Sequence, residues 1–314
     1  MAWSRCMLPL SGLASCTTAE PPLRVAVNGW IGYAPLFLAQ DLGHAPEAVV
    51  RLVEFPSNTA SMMALVNREV ASAALTLDEL LLAREGGLNV RAAMVFDESC
   101  GADVVMAHPR IGSLAALRGK RIGVESTAVG ALMLSRLLAA ANLAPTDLVK
   151  VPLTADQHVA AYTAGDIDAV ITFEPMASRL RNQGAHALLD SSHFPGLIVD
   201  VLAVAADTSA QQTTQLRELV KGHFLALAHL RANPANAARL LAPHQQLSAE
   251  AVLAAFKGIR MADAADNRQW LGGVTPRLTA SARSVGQMMQ DSRLLQRPPE
   301  LSGLCDPSFL PETA

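Results

Sequence analysis

From residue 23 onward, short apolar runs alternate with segments in which apolar residues recur every three or four positions. The runs at 23–28, 49–55, 71–75, 90–96 and 103–107 are bounded by polar or turn residues and are mostly rich in Val, which predicts strands. Helices are predicted between them at 34–41, stopping near Gly43; at 57–68, with Ser57 or Asn58 as N-cap; and at 77–84, stopping at Gly86 and Gly87. Such strand–helix–strand alternation builds a mainly parallel sheet with helices on both faces. A second series follows Pro109, with strand 121–124, helix 128–141 capped by Ser126 or Thr127, helix 156–164 and strand 169–172. A long apolar run at 198–205 is expected to cross back to the first series. The rest is mostly helical, at 216–231, 236–241, 248–257 and 278–291, with Pro234, Pro243 and Pro276 marking breaks. After Arg297 there are four prolines and no periodicity, so the tail is either an irregular strap or disordered.

The pattern predicts an α/β chain of two Rossmann-like lobes joined by a hinge. The expected division gives 23–108 and 204–314 to the first lobe and 109–203 to the second, with hinge segments near Pro109 and at 198–205. One internal echo ties the two series together. Val70 to Thr76 is followed by Leu77 and Asp78, while Asp166 to Thr172 is followed by Phe173 and Glu174. Each series thus places an acid just beyond a strand ending in Thr. Ligands of open α/β sheets bind beyond the carboxyl ends of the strands, so facing lobes would aim both acids into one cleft. Coincidence between two Ala-rich segments is the competing explanation.

The N-terminus changes the picture of where the chain works. Arg5 precedes a short apolar segment that ends in Leu13-Ala14-Ser15-Cys16, followed by a polar stretch through Pro22. This resembles a bacterial lipoprotein signal, with 1–15 removed, Cys16 lipidated and 16–22 left as a tether at the cell envelope. Cys100 and Cys305 would then be the remaining cysteines, either paired in an oxidising compartment or free.

Composition narrows the function. The net charge of −3 and the scattered Lys and Arg residues offer no basic stripe for nucleic acid. No run approaches the roughly 18 apolar residues of a spanning helix. There is no GxSxG elbow, HExxH, GxxxxGK[ST] loop or CxxC pair, and the eight His residues show no tight ligand spacing. The sequence therefore predicts a non-enzyme with no cofactor and no metal.

Four stretches carry a family resemblance: Asn28-Gly29-Trp30-Ile31-Gly32-Tyr33-Ala34-Pro35-Leu36, Gly119 to Val124, Gly165 to Val170, and Glu174-Pro175. In this order and spacing the chain resembles the nitrate/sulfonate/taurine family of ABC-transporter substrate-binding proteins, which also includes binders of thiamine-pyrimidine precursors. The resemblance implies the type II periplasmic-binding-protein fold, a periplasmic monomer, and a permease and ATPase as partners. Two alternatives share the fold: a ligand sensor feeding a membrane histidine kinase, and a pyrimidine-synthesising enzyme, whose Cys-rich iron segment has no counterpart here.

Candidate ligand contacts follow. Trp30 and Tyr33 lie where the family places an aromatic platform, with core packing as the competing role. Ser57 and Asn58 cap a helix, contact ligand, or both. Ser126 and Thr127 open a helix whose free N–H groups favour an anion or carbonyl, although Glu125 beside them opposes an anion. Thr76, Asp78, Asp97 and Glu174 end or follow strands, and Asp200 interrupts an apolar run. Because no Lys or Arg immediately follows the strand ends at Asp78, Asp97 and Glu174, the expected ligand is a small organic molecule, of amine, aminosulfonate or pyrimidine type, with Glu174 as its chief anchor.

Overall fold

The computed structural model describes residues 21–125 and 128–312, so the signal, Cys16, Ser126 and Thr127 lie outside the described residues. The chain runs β1 Leu23–Val27, α1 Ala34–Asp41, β2 Val50–Glu54, α2 Asn58–Val66, β3 Ser72–Thr76, α3 Leu77–Glu85, β4 Val90–Ser99 and β5 Asp103–Ala107. It continues through β6 Arg121–Val124, α4 Ala128–Ala141, β7 Val149–Pro152, α5 His158–Ala164, β8 Ala169–Phe173, α6 Met176–Asn182, β9 His186–Asp190 and β10 Val199–Ala205. The last part is α7 Ala210–Ala232, α8 Pro234–Gln245, α9 Ala249–Ala255, β11 Ile259–Met261, α10 Ala264–Leu271 and α11 Arg277–Asp291.

Two mixed sheets result. The first has the order β11-β4-β10-β3-β1-β2 and the second β7-β6-β8-β5-β9. Without β11 the two orders correspond strand for strand, with β3 matching β8 and β10 matching β5. In each sheet one inner strand runs against both its neighbours, β10 between β3 and β4 and β5 between β8 and β9, and the edge strand β11 also runs against β4. The central strands β3, β5 and β8 are buried at every position, which is why they read as continuous apolar runs rather than alternating ones.

The expected division is corrected at two places. Residues 103–107, expected in the first lobe, form β5 of the second sheet, so the outward crossing lies at 100–102 and not near Pro109. The run 198–205 is not itself the crossing, because β10 pairs along its length with β3 and β4, and the return occupies 191–198. The crossings are tied side by side. The Ser99 and Ser191 hydroxyls are 2.8 Å apart, Gly101 N–H donates to Ser191 Oγ at 2.7 Å, and Ser99 N–H donates to Ile198 O at 3.0 Å. Gly101 has φ +124°, and a Cβ on Gly258 would lie 2.7 Å from Ala102 N, so the crossing needs glycine both in it and against it.

The C-terminal helices cover the first sheet as expected, α7 lying along α1. The tail is a strap on β4: Ala92 N–H donates to Leu304 O, and Asp306 N–H donates to Ala92 O. Cys305 is thereby held beside Ala92 while Cys100 follows the far end of β4, and both thiols are free, which removes the disulfide option.

Candidate functional site

The carboxyl ends of β1, β3 and β4 point at those of β6 and β8, and the antiparallel β10 and β5 begin there. Between the sheets lies a narrow pocket lined by Trp30, Asn58, Thr76, Asp103, Val129, Phe173, Ile198 and Asp200. A wider concavity sits at the opposite, amino-terminal ends of β1 and β3 near Arg24, Glu69 and Gln215. The carboxyl-end pocket is the chemically distinctive one, because buried polar atoms converge there.

Trp30, 4% exposed, forms one wall. Its backbone N–H donates to Asn28 Oδ1 at 2.9 Å, its indole Nε1–H donates to Asp97 Oδ2 at 3.2 Å, and its ring meets Phe173 of the second sheet edge-on at 5.7 Å. Asn28 in turn donates to Asn58 Oδ1. Tyr33 corrects half of the aromatic-platform expectation: it is fully buried behind the pocket, packs on Phe96 at 5.0 Å, and its hydroxyl donates to Asp200 Oδ1 at 2.5 Å. Ser57 serves as a cap, its Oγ accepting from Ala60 N–H at 3.1 Å, while its neighbour Asn58 lines the pocket. Thr76 lines it too, and Glu79 Oε2 accepts from both its N–H and its hydroxyl, a capping box that starts α3.

The carboxyls dominate the electrostatics. Asp97 and Asp200 stand directly opposite each other on β4 and β10. Burial lifts Asp97 to about 8, against the Trp30 bond, and lifts Asp200 well above the usual carboxylate range, with the Asp97 charge adding to it. Burial raises Asp103 to about 7, Glu125 to about 7 and Asp78 to about 6, and drives Glu79 well upward. Asp78 Oδ2, Glu79 Oε1, Asp97 Oδ1, Asp103 Oδ2 and Asp200 Oδ2 are buried with no hydrogen-bond partner among the described residues.

Glu174 departs from its expected role. It follows β8, which matches β3, so the internal echo reflects equivalent strands, but its carboxylate is already engaged. Oε2 accepts from Ser178 N–H at 3.0 Å, Oε1 pairs with Arg181, and its backbone O accepts from Ile31 N–H at 3.3 Å. The cation that sequence did not find near Glu174 arrives one helix later, seven residues on. Asp103, Glu79, Glu125 and Phe173 were not among the predicted contacts. For Asp103, only the pairing opposite Phe173 at the end of β8 reveals a buried acid.

Among curated proteins none matches the chain. Solved structures share its fold. They include the alkanesulfonate-binding protein SsuA from Xanthomonas axonopodis pv. citri bound to MOPS, with TM-score 0.75, 17% identity, and 91% of this chain and 98% of that one covered. A ligand-binding component of an ABC-type import system from Staphylococcus aureus, with zinc bound, superposes with TM-score 0.76 at 14% identity, covering 94% and 99%. The desulfurization enzyme DSZB does so with TM-score 0.66 at 18% identity, covering 93% and 98%. At these identities the likenesses establish the fold, which hosts both transport and catalysis. A family model matches residues 17–242, and the chain accordingly belongs to the NMT1-like family.

Proposed function

We propose that this protein is the solute-binding component of an ABC importer, held at the cell envelope by a lipid on Cys16. It captures a small organic solute bearing N–H donors and performs no chemistry on it. The observation that carries this reading is a pair of buried carboxyl oxygens without partners among the described residues, Asp103 Oδ2 and Asp200 Oδ2, on residues that line one pocket from the two sheets. Such oxygens are costly to leave unmatched, and an ammonium, amidine or aminopyrimidine matches them. None of the described lining residues is Lys or Arg, so nitrate or a bare sulfonate group would find no cation there to pair with. An aminosulfonate fits if its ammonium end enters first.

Binding between lobes supplies the signal to a permease. A solute that touches both sheets stabilises the closed arrangement over the open one, and the tied crossings at 100–102 and 191–198 provide the hinge. A ligand-sensing role uses the same pocket, and adjacent permease and ATPase genes, rather than a lone histidine kinase gene, distinguish import.

A thermal-shift screen of amines, amidines, aminopyrimidines, aminosulfonates, alkanesulfonates and nitrate tests the reading. A nitrogen donor at 100 times its Kd is expected to add about 2.7 kcal/mol of stability. Stabilisation by nitrate or simple alkanesulfonates alone would overturn the ligand class, and turnover of any bound compound would overturn the non-catalytic role.

A further inference from the structure

Asp103 and Asp200 occupy equivalent places in the two sheets. Asp200 is the second residue of the antiparallel strand of the first sheet and stands opposite Thr76, the last residue of β3. Asp103 opens the antiparallel strand of the second opposite Phe173, the last residue of β8, the strand that matches β3. Asp103 follows one crossing directly and Asp200 follows the other after one residue, each is at least nine-tenths buried, and both line the same pocket. Each keeps one oxygen, Oδ2, with no hydrogen-bond partner among the described residues.

We propose that Asp103 and Asp200 form a carboxyl clamp, one jaw on each lobe, that takes a cationic nitrogen of the solute. This rests on the binding-protein reading and specifies how its pocket works.

The groups facing the clamp are acids, phenol and indole. Asp200 faces Tyr33, Asp97 and Glu79, and Asp103 faces Ser99, Asp78 and Glu125. On β4 the next acid, Glu98, is held by Arg260 and Arg277, so those two guanidinium groups are occupied there. Bringing the jaws together therefore concentrates negative charge in a site that excludes water, and closure needs a positive counterpart. Protons supply it in the free protein, because burial favours the neutral acid at Asp97, Asp200 and Asp103. When an ammonium or amidinium enters, one proton leaves to solvent for each cation bound, so the charge of the site is conserved, and the carboxylate gains the nitrogen's hydrogen bond. No group of three His, Cys, Asp or Glu among the described residues is placed to hold a metal ion, whereas a planar amidinium carries two divergent N–H donors, one for each jaw.

Acetamidinium is a suitable minimal probe, with uncharged acetamide as its control. Its binding to the full chain is followed by the Trp30 indole N–H resonance, which reports on Asp97, and by calorimetry in buffers of different ionisation enthalpy. Acetamidinium affinity is expected to rise by about tenfold per pH unit per displaced proton between about pH 6 and about pH 8, with proton release near neutrality, and acetamide is expected to show neither. Asp103→Asn, an isosteric change, is expected to weaken acetamidinium by about tenfold or more and to lower the number of protons released, with the fold retained by circular dichroism. Affinity independent of pH, equal binding of acetamide, or no binding of acetamidinium at saturating concentration would overturn the clamp. In each case a thermal shift from another small solute keeps the binding-protein reading, so the two fail separately.

Discussion

The Trp30 indole donates to Asp97 Oδ2 directly across Gly32: a Cβ on that glycine would lie 2.0 Å from the oxygen and 2.2 Å from the indole nitrogen. The glycine is required by this close approach and not by a left-handed backbone. Gly32→Ala is therefore expected to separate donor from acceptor and to destabilise the protein by about 1–3 kcal/mol in urea denaturation. Native stability in the variant would show that the indole and carboxylate can rearrange without cost.

Trp30 has two separable roles, as a donor to Asp97 and as a wall against Phe173. Trp30→Phe keeps a ring but removes the donor, leaving both Asp97 oxygens short of a partner, with an expected stability cost of about 1–3 kcal/mol. Trp30→Ala also removes the wall and is expected to weaken solute binding by about 1–3 kcal/mol. Comparing the two in paired melting and titration experiments separates the roles, and equal solute affinity in both would assign Trp30 to packing alone.

For Glu174→Gln, the pairing with Arg181 and the bond from Ser178 N–H predict a change in stability and not in binding. Arg181 is half-exposed and can turn into water, so the expected loss is only about 1 kcal/mol. A tenfold loss of solute affinity at unchanged melting temperature would return Glu174 to the pocket.

The buried acids make the free protein's stability depend on pH in the opposite sense from salt-bridged carboxylates. Burial raises Asp97 to about 8, Asp103 and Glu125 to about 7 and Asp78 to about 6, so between about pH 4 and about pH 8 the folded chain holds protons that the unfolded chain has lost. Their stabilisation is complete below the unfolded carboxyl range and is lost as pH rises through the folded values, at roughly 1.4 kcal/mol per unit per group. Urea midpoints should fall from about pH 5 to about pH 8, and Asp103→Asn should flatten the slope. Midpoints that rise over this range would show that these acids are ionised in the native state.

Cys16→Ser is expected to move the protein from the membrane to the soluble fraction on cell fractionation. Equal membrane association of the variant would remove the lipid anchor from the proposed function.

The order of strands and helices was legible because buried central strands must be apolar at every position and amphipathic helices must repeat every three to four. The echo between Thr76-Leu77-Asp78 and Thr172-Phe173-Glu174 likewise marked equivalent strands, β3 and β8. Strands β7, β9 and β11 escaped notice, being short edge strands with exposed positions and no apolar run to mark them. The acidity of the pocket was legible in Asp78, Asp97 and Asp200, since an acid in or beside an apolar run must be explained.

Which acids remain available was a tertiary matter. Glu174 and Asp103 look alike in sequence, each polar and near a strand end. Folding gives Glu174 an arginine from the helix that follows it, while Asp103 opens an antiparallel strand at a place where the nearby charged group is another acid, Asp78. The crossings at 100–102 and 191–198 were hidden for the same reason: local pattern reports that a segment is a strand, but pairing with distant segments decides which sheet receives it, and so which side chains converge.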